Sequence, residues 1–314
     1  MARSLSVALL GSVTLGKDLG KKGTTSDITL YNSTGEEGTV TYVEPTHYPD
    51  KFPPLLTAIA MGEVPLLVVE TINRDLAEIV VSLDLAGKRN GLVALSPQVG
   101  EADFKRAFKG TVVENYPTAP LDPRLLKERL LALPAPAREE GGLLIPIDHA
   151  FPVKGVGTVI LGLVRRGKVK LHDKLRLYPE EKSVEVKSIQ VHDIDLPEAD
   201  VGSRVGLALK GIEVEEISRG QVLAPTGSVR DGDLLELSDY AACKFFKGKA
   251  GEGDKVHVSV GLQVVPAKIA TVDGARRTLQ LDSRVAWVPG DRAFIVQLSG
   301  GGAGPRIAGG GVLA

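Results

Sequence analysis

The chain has 314 residues, a formal net charge of −1 at pH 7 and a mean hydropathy of +0.06. A chain of this length holds two or three domains, each with its own core. The near-zero charge excludes a global attraction to nucleic acid, so any such binding needs a local basic patch. No apolar run approaches the roughly 18 residues of a membrane span, and the lone cysteine, Cys243, forms no internal disulfide. We therefore expect a cytoplasmic protein with neither a membrane nor DNA as a partner.

The N-terminal part of the chain predicts an α/β domain at residues 1–138. Strand-like and helix-like runs alternate there, which favours a mostly parallel sheet flanked by helices. A linker rich in Pro, Gly and charged residues at 133–142 marks the end of this domain. The predicted strands are 7–10, 39–43, 66–70, 92–95 and 111–113, and the predicted helices are 54–61, 75–85, 103–108 and 123–131.

The pattern changes from residue 143 onward, where short strand-like runs are separated by turn residues at regular spacing. This spacing predicts two small antiparallel barrels in tandem, with a boundary near 224–228. The barrels are predicted at 143–226 and 227–314. Their predicted strands are 158–164, 174–177, 184–191, 205–209, 256–260, 267–270, 278–281 and 294–298.

A glycine-rich loop follows the first predicted strand. Gly11, Gly16 and Lys17 fit the phosphate-binding pattern GxxxxGK[ST], in which backbone N–H groups and the lysine hold phosphates. Asp18 stands where the pattern has the hydroxyl that ligates Mg²⁺, and an anion there would face the phosphates. The loop therefore indicates an NTPase ancestry and argues against NTPase activity. The alternative is a tight strand-to-helix turn, with Asp18 in the first turn of a helix that Gly20 interrupts early.

Two stretches of the middle segment carry a specific resemblance. Residues 144–162 read LIPIDHAFPVKGVGTVILG, and residues 204–223 read RVGLALKGIEVEEISRGQVL. Both resemble the second domain of translational GTPases, nearest to elongation factor Tu and the selenocysteine-specific elongation factor. Residues 244–248, 288–291 and 306–313 resemble the third domain of the same family. The resemblance covers the whole chain and implies a P-loop α/β domain followed by two antiparallel β-barrels.

The resemblance implies GTP and Mg²⁺ as ligands, but the motifs that bind them in the family are altered. The metal motif DxPGH falls on residues 43–47, where Val43 replaces the Asp and Thr46 replaces the Gly; Glu44 fits only after a one-residue shift. The guanine-reading NKxD is replaced by SPQV at 96–99, and the Ser-Ala motif that follows it in the family is absent. The short distance from the loop to Glu44 leaves little room for the mobile switch that coordinates Mg²⁺. These changes predict a degenerate GTPase domain.

One residue of the altered metal motif invites a catalytic role. His47 matches the family histidine that positions the attacking water. With the metal and guanine motifs altered, that role has nothing to act on, and a polar loop histidine is the alternative. No catalytic residue and no metal ligand is therefore predicted.

Four residues match positions that line the aminoacyl pocket of the family: Asp148, His149, Phe151 and Arg204. Arg204 resembles an arginine of the selenocysteine-specific factors, and His149 is a weaker form of their basic residue beside the Asp. A barrel does not require charge at these two positions. Arg204→Ala is therefore expected to weaken ligand binding and to leave the melting temperature nearly unchanged. The alternative is that all four residues only stabilise the barrel mouth.

Basic residues near this pocket are predicted to extend it. Lys154, together with Arg165 and Arg166 of the cluster at 165–170, would add salt-dependent contacts to phosphates if RNA is bound. The alternative is that they are solvated charges.

Three functions remain open from the sequence. The first is an elongation-factor-like pseudo-GTPase that binds tRNA, other RNA or a ribosome-associated partner without a GTP cycle. The second is a GTP-binding elongation factor of the selenocysteine-specific type with unconventional motifs. The third is a β-barrel scaffold for protein interactions. The altered motifs favour the first and argue against an enzyme, because they remove the groups that hold the metal and read the guanine.

Overall fold

The structure is a computed structural model that describes residues 3–11, 14–35, 38–134, 141–298 and 304–314. The chain divides into two compact units. The first comprises Met1–Pro136 with the segments Cys243–Gly248 and Leu298–Ala308, and the second comprises Ala137–Ala242, Lys249–Gln297 and Gly309–Ala314. No helix within the described ranges is long and apolar enough to cross a membrane.

The first unit is built around a seven-stranded sheet with β1 at Arg3–Leu10, β2 at Lys21–Thr25, β3 at Thr29–Gly35, β4 at Gly38–Glu44, β5 at Val64–Val69, β6 at Leu92–Leu95 and β7 at Thr118–Pro120. The strand order is β2-β3-β4-β1-β5-β6-β7, and the five strands from β4 to β7 run parallel. Strand β1 is buried on both faces: Leu9 packs in the core cluster with Leu126, and Leu10 on the opposite face is buried as well. The antiparallel pair β2–β3 extends one edge.

Five helices of the described residues flank this sheet, and local side-chain caps explain the starts of two of them. Asn73 precedes one helix and accepts a hydrogen bond from the backbone N–H of Leu76 at 2.9 Å. Asp122 precedes another and accepts one from Leu125 at 2.9 Å, so both side chains satisfy a backbone donor of the first turn. The helices are α1 Gly16–Leu19, α2 Pro53–Met61, α3 Arg74–Leu85, α4 Glu101–Ala107 and α5 Pro123–Ala132, with a 3-10 turn at Val112–Asn115.

Arg306, in a later segment of the same unit, binds a buried carboxylate of α3. Its Nε and NH2 groups donate to Oε1 of Glu78 at 3.2 Å and to Oε2 at 2.6 Å, and its backbone N–H donates to Oε1 at 2.7 Å. The hydroxyl of Tyr48 also donates to Oε2, at 3.1 Å. Glu78 is 5% exposed, so these four donors replace the water that its charge would otherwise need.

The second unit contains two closed antiparallel barrels of six strands. In the first barrel the order is β11-β16-β8-β9-β15-β12, closed by pairing of β11 with β12. Its interior is aliphatic, with Ile147, Ile160 and Leu207 among the fully buried side chains. The strands of this part are β8 Ile145–Val153, β9 Gly157–Leu163, β10 Lys168–Lys170, β11 Lys174–Tyr178, β12 Lys182–Val191, β13 Ile194–Asp195, β14 Glu198–Asp200, β15 Arg204–Lys210 and β16 Val222–Ala224, with a 3-10 turn at Val214–Glu216.

The second barrel closes in the order β17-β20-β19-β18-β21-β22. Its strands are β17 Arg230–Ala242, β18 Lys255–Val260, β19 Gln263–Asp273, β20 Arg276–Trp287, β21 Arg292–Val296 and β22 Ile307–Leu313. Within the second unit, Leu144 and Tyr178 of the first barrel region share an apolar cluster with Ala286 of β20.

The predicted fold class is confirmed: a mostly parallel α/β sheet precedes two antiparallel barrels. The strand predicted at 111–113 is wrong. Val113 is fully buried in the 3-10 turn, so its apolar character reflects packing and not a strand. The hairpin β2–β3 escaped prediction because β2, KKGTT, is polar and mostly exposed.

Candidate functional site

The phosphate-binding pattern forms a tight loop whose glycines are required by packing. Gly11 has φ +84°, and a Cβ there would lie 2.2 Å from the carbonyl oxygen of Val68. A Cβ on Gly16 would lie 2.2 Å from the ring of Tyr31, a side chain that is 4% exposed. Residues 12 and 13 of the pattern lie outside the described residues. Both of these glycines therefore have a steric reason to be glycine that does not involve a phosphate.

The helix after this loop is only four residues long. Gly20 is extended, and a Cβ on it would lie 2.7 Å from the carbonyl oxygen of Asn32. The chain therefore turns away from the helix and continues as β2 along the edge of β3. The early interruption predicted at Gly20 is confirmed, while Lys17 and Asp18 are exposed on the short helix.

Glu44 is the last residue of β4 and lies at the same end of the parallel strands as this loop. It is 4% exposed, and its Oε2 has no hydrogen-bond partner within the described part of the chain. Burial raises the pKa of Glu44, and this effect outweighs a hydrogen bond with Tyr31 and the charges of Lys22 and Lys17. Glu44, which fits the metal motif only after a one-residue shift, is therefore close enough to the loop for the charge of Lys17 to act on its carboxyl group.

The position of the guanine-reading motif is occupied by a turn. Ser96 follows β6, its backbone N–H donates to Val69 at 3.0 Å, and its hydroxyl donates to the carbonyl of Glu70 at 3.4 Å. Val99 closes the turn by donating to the carbonyl of Ser96 at 3.0 Å. The turn brings no carboxylate that could accept from a guanine edge.

A pocket of about 210 Å³ opens at the carboxyl ends of β1 and β5. This is the point where the strand order reverses, and ligands of open α/β sheets bind in such crevices. The charged side chains that line it are Glu70 and Asp75, so its chemistry disfavours a phosphate. His47 does not line this pocket; its side chain is exposed in the turn after β4.

The predicted aminoacyl pocket has a buried ion pair at its centre. Oδ2 and Oδ1 of Asp148 accept from Nε and NH2 of Arg204 at 3.1 and 3.0 Å, and Oδ1 lies 2.7 Å from Nδ1 of His149. The pairing of β8 with β9 shifts register between Ile147 and His149. This bulge buries two consecutive side chains, Ile147 in the barrel core and Asp148 in the pair.

Electrostatics keep this carboxylate ionised. Burial raises the pKa of Asp148, but the charge of Arg204 and the hydrogen bonds from His149 and Arg204 outweigh it, so the pKa lies below its usual value. Asp148 occupies Nε and NH2 of Arg204 and Nδ1 of His149. Within the described part of the chain, NH1 of Arg204 and Nε2 of His149 are the nitrogens of these two side chains that remain to bind another group.

Two further side chains of the first barrel region are Phe151 and His192. Phe151, on the same strand as Asp148, is 39% exposed and offers an apolar surface. His192 was missed by sequence reasoning. It lies in the turn between β12 and β13 with φ +51°, and burial and the charge of Arg204 lower its pKa.

The basic residues predicted to extend the pocket have separate environments. Lys154 is exposed in the region between β8 and β9. Arg165 and Arg166 donate instead to Oδ1 of Asp291 at 2.7 and 3.2 Å. A buried carboxylate within the second unit therefore engages both arginines, and their contact with phosphates stays a prediction.

Comparison with known proteins gives matches to part of the chain and to nearly all of it. The sequence profile of elongation factor Tu domain 2 matches residues 157–224. An uncharacterized protein of Methanocaldococcus jannaschii is 38% identical over 310 residues, which cover 98% of this chain and 99% of that protein. The selenocysteine-specific elongation factor of the same organism is 42% identical over 131 residues, which cover 40% of this chain and 27% of that factor.

A solved structure shares the fold. The crystal structure of translation elongation factor SelB from Methanococcus maripaludis, in complex with the GTP analogue GppNHp, matches with a TM-score of 0.85 and 24% identity over 99% of this chain and 79% of that chain. The α/β domain and the two barrels thus have the fold of that elongation factor. The chain belongs to the translational GTPase-like family, together with the M. jannaschii protein that it matches end to end.

Proposed function

We propose that this protein is a pseudo-GTPase of translation that binds an RNA 3′ end carrying an aminoacyl group without a GTP cycle. The observation that carries the proposal is a contrast between two sites. At the phosphate loop, α1 ends after four residues and gives way to β2, whereas in the first barrel Asp148, His149 and Arg204 form a hydrogen-bonded cluster. We also propose a cytoplasmic location and a three-domain division at 1–138, 143–226 and 227–314.

GTP and Mg²⁺, the ligands that the family implies, do not fit the residues present. Asp18 puts a carboxylate where the pattern needs a hydroxyl, Val43 replaces the metal-linked Asp, and the turn at Ser96 supplies no guanine acceptor. Tyr31 packs directly against Gly16. No step of the proposed function therefore uses a nucleotide.

The cluster in the first barrel suits a small group that is anionic or accepts hydrogen bonds. NH1 of Arg204 would donate to this group, because Asp148 holds that side chain by Nε and NH2. Nε2 of His149 would accept a hydrogen bond from the same group, because the Nδ1–H of the neutral ring donates to Asp148. Phe151 would cover the apolar part of the aminoacyl group. The tRNA, another RNA or a ribosome-associated factor would then be the partner, as the family resemblance implies.

One observation favours a second candidate, a GTP-binding elongation factor of the selenocysteine-specific type. Glu44 is buried beside the loop and has an unpartnered oxygen, which is the kind of group that could replace the lost metal ligand. Calorimetry with GTP, GDP and ATP in the presence of Mg²⁺ decides between the two. We expect weak binding without base preference. Guanine-selective binding tighter than about 1 μM would establish the second candidate, since that affinity of about −8 kcal/mol needs a formed site.

The RNA part of the proposal is tested with one tRNA in aminoacylated and deacylated form. We expect the wild-type protein to prefer the aminoacylated form, and His149→Ala to abolish that preference. Lys210→Ala, an exposed change on the same barrel, is the matched control and should keep it. If wild type binds neither form, the scaffold alternative replaces the proposal.

A further inference from the structure

A tight turn of the first unit displays the most exposed of the large hydrophobic side chains in the described residues. Phe245 is 64% exposed. The backbone N–H of Phe246 donates to the carbonyl of Cys243 at 3.2 Å, and Cys243 donates to Ala308 at 2.8 Å. Cys243 is buried and Phe246 half-buried, so both ends of the turn are anchored, with Lys244 and Phe245 at its tip.

The turn is held by close backbone packing. A Cβ on Gly304 would lie 2.5 Å from the carbonyl oxygen of Phe245 and 3.2 Å from the backbone nitrogen of Lys247. NH2 of Arg74 donates to the carbonyl of Gly304 at 2.7 Å. All of these residues belong to the first unit. The exposure of Phe245 therefore belongs to a packed turn and not to a frayed end.

Cationic residues flank this aromatic side chain in the sequence and in the segment that packs against the turn. Lys244 and Lys247 flank it in the sequence and are exposed, and Arg74 is exposed next to Gly304. Neither residues 243–248 nor residues 304–306 include a carboxylate. Single exposed hydrophobic residues are common on protein surfaces, but an aromatic ring between cations is the arrangement that binds unpaired bases and their phosphates.

We propose that this turn, Lys244–Lys247, is a contact for single-stranded RNA. A base stacks on the ring of Phe245, and the ammonium groups of Lys244 and Lys247 neutralise adjacent phosphates. A peptide partner would need a groove that buries several of its side chains, whereas one projecting ring suits one base. The inference rests on RNA being the partner in the proposed function, but it concerns residues distinct from the Asp148 cluster.

The test uses the full chain and a fluorescently labelled single-stranded RNA of about 12 nucleotides, which is within the usual site size. Phe245→Ala should weaken binding about 5- to 150-fold, as expected for the loss of one stacked base, and Phe245→Tyr should retain it. Lys244→Ala and Lys247→Ala should each lower the slope of log affinity against log salt by about 0.7.

Leu234→Ala is the matched control, because Leu234 is 50% exposed on β17 beside Asp233 and lacks flanking lysines. Its affinity should equal that of wild type. All variants are compared by thermal unfolding, and unchanged melting temperatures exclude a folding defect.

The outcomes separate this inference from the proposed function. If Phe245→Ala binds the oligonucleotide as well as wild type does, or if wild type does not bind it, the inference is overturned. The preference for aminoacylated tRNA and its loss in His149→Ala would still support the proposed function. If a glutamate-rich peptide competes with the RNA and depends equally on Phe245, the turn is assigned to an acidic protein partner instead.

Discussion

Replacing Arg204 by alanine tests whether the ion pair with Asp148 is part of the barrel's stability. The side chain of Asp148 is fully buried and that of Arg204 is 10% exposed. Among the described residues, the substitution leaves the buried carboxylate with His149 as its remaining side-chain hydrogen-bond partner. Removing one member of a buried pair costs about 3–5 kcal/mol. We expect the free energy of unfolding at neutral pH to fall by that amount. This replaces the expectation from sequence that stability would hardly change.

Urea denaturation followed by circular dichroism measures this loss, and hydrogen exchange of β8 and β15 assigns it to the first barrel. Lys210→Ala on β15 is the control and should stay within about 0.5 kcal/mol of wild type. The double variant Asp148→Leu with Arg204→Met removes both charges and should recover most of the loss. If Arg204→Ala alone stays within about 0.5 kcal/mol of wild type, the pair does not stabilise the barrel and the reasoning fails.

The same pair sets a dependence on pH. The pKa of Asp148 in the folded protein is lowered, so its contribution to stability is complete above the unfolded pKa and is lost as pH falls through the folded pKa. In Arg204→Ala this contribution is reduced at neutral pH. The unfolding free energies of wild type and variant should therefore differ most at neutral pH and converge in acid.

Three further predictions concern the first unit. Asp18→Thr alone should show no GTP hydrolysis in a phosphate-release assay, because the guanine and metal motifs stay altered; robust turnover would mean that Glu44 already supplies a metal ligand. Glu44→Gln should raise the free energy of unfolding by about 1 kcal/mol at neutral pH. The pKa of Glu44 is raised in the folded protein, so the wild type loses stability as pH rises through that pKa. A gain in the variant that persists in acid would contradict this cause. Glu78→Ala should lower that free energy by about 3–5 kcal/mol, since Arg306 loses its carboxylate. Calorimetric melting checks this, with Glu128→Ala, an exposed change on α5, as the control.

The fold was predictable where one sequence period dominates. The continuous apolar strands β1 and β5 and the short alternating strands of the barrels identify parallel and antiparallel sheets directly. The strand predicted at 111–113 failed because Val113 is buried in a 3-10 turn, which a short apolar run does not distinguish from a strand. β2 could not be found because its stability comes from pairing with β3 and not from an apolar face.

The candidate site was predictable in its residue types and not in their contacts. The resemblance placed Asp148, His149 and Arg204 together, but the hydrogen bonds between Asp148 and Arg204 join residues 56 positions apart. Likewise, the sequence did not indicate that Arg165 pairs with Asp291 at 2.7 Å, because the two residues lie 126 positions apart. Sequence patterns specify local periodicity, whereas pairing over such separations depends on how the strands close.

The nucleotide-motif region and the Asp148 cluster differ in which polar groups their internal contacts leave available to a ligand. At the phosphate loop, Tyr31 fills the space against Gly16. At the turn in the position of the guanine motif, the hydroxyl of Ser96 donates to the carbonyl of Glu70. In the barrel, Asp148 fixes Arg204 and His149 by only some of their nitrogens. Preorganised donors lose little side-chain entropy when a ligand arrives. The physical capacity to bind a polar group is therefore greater at the Asp148 cluster than at the loop, which is why the proposed function places the ligand in the first barrel.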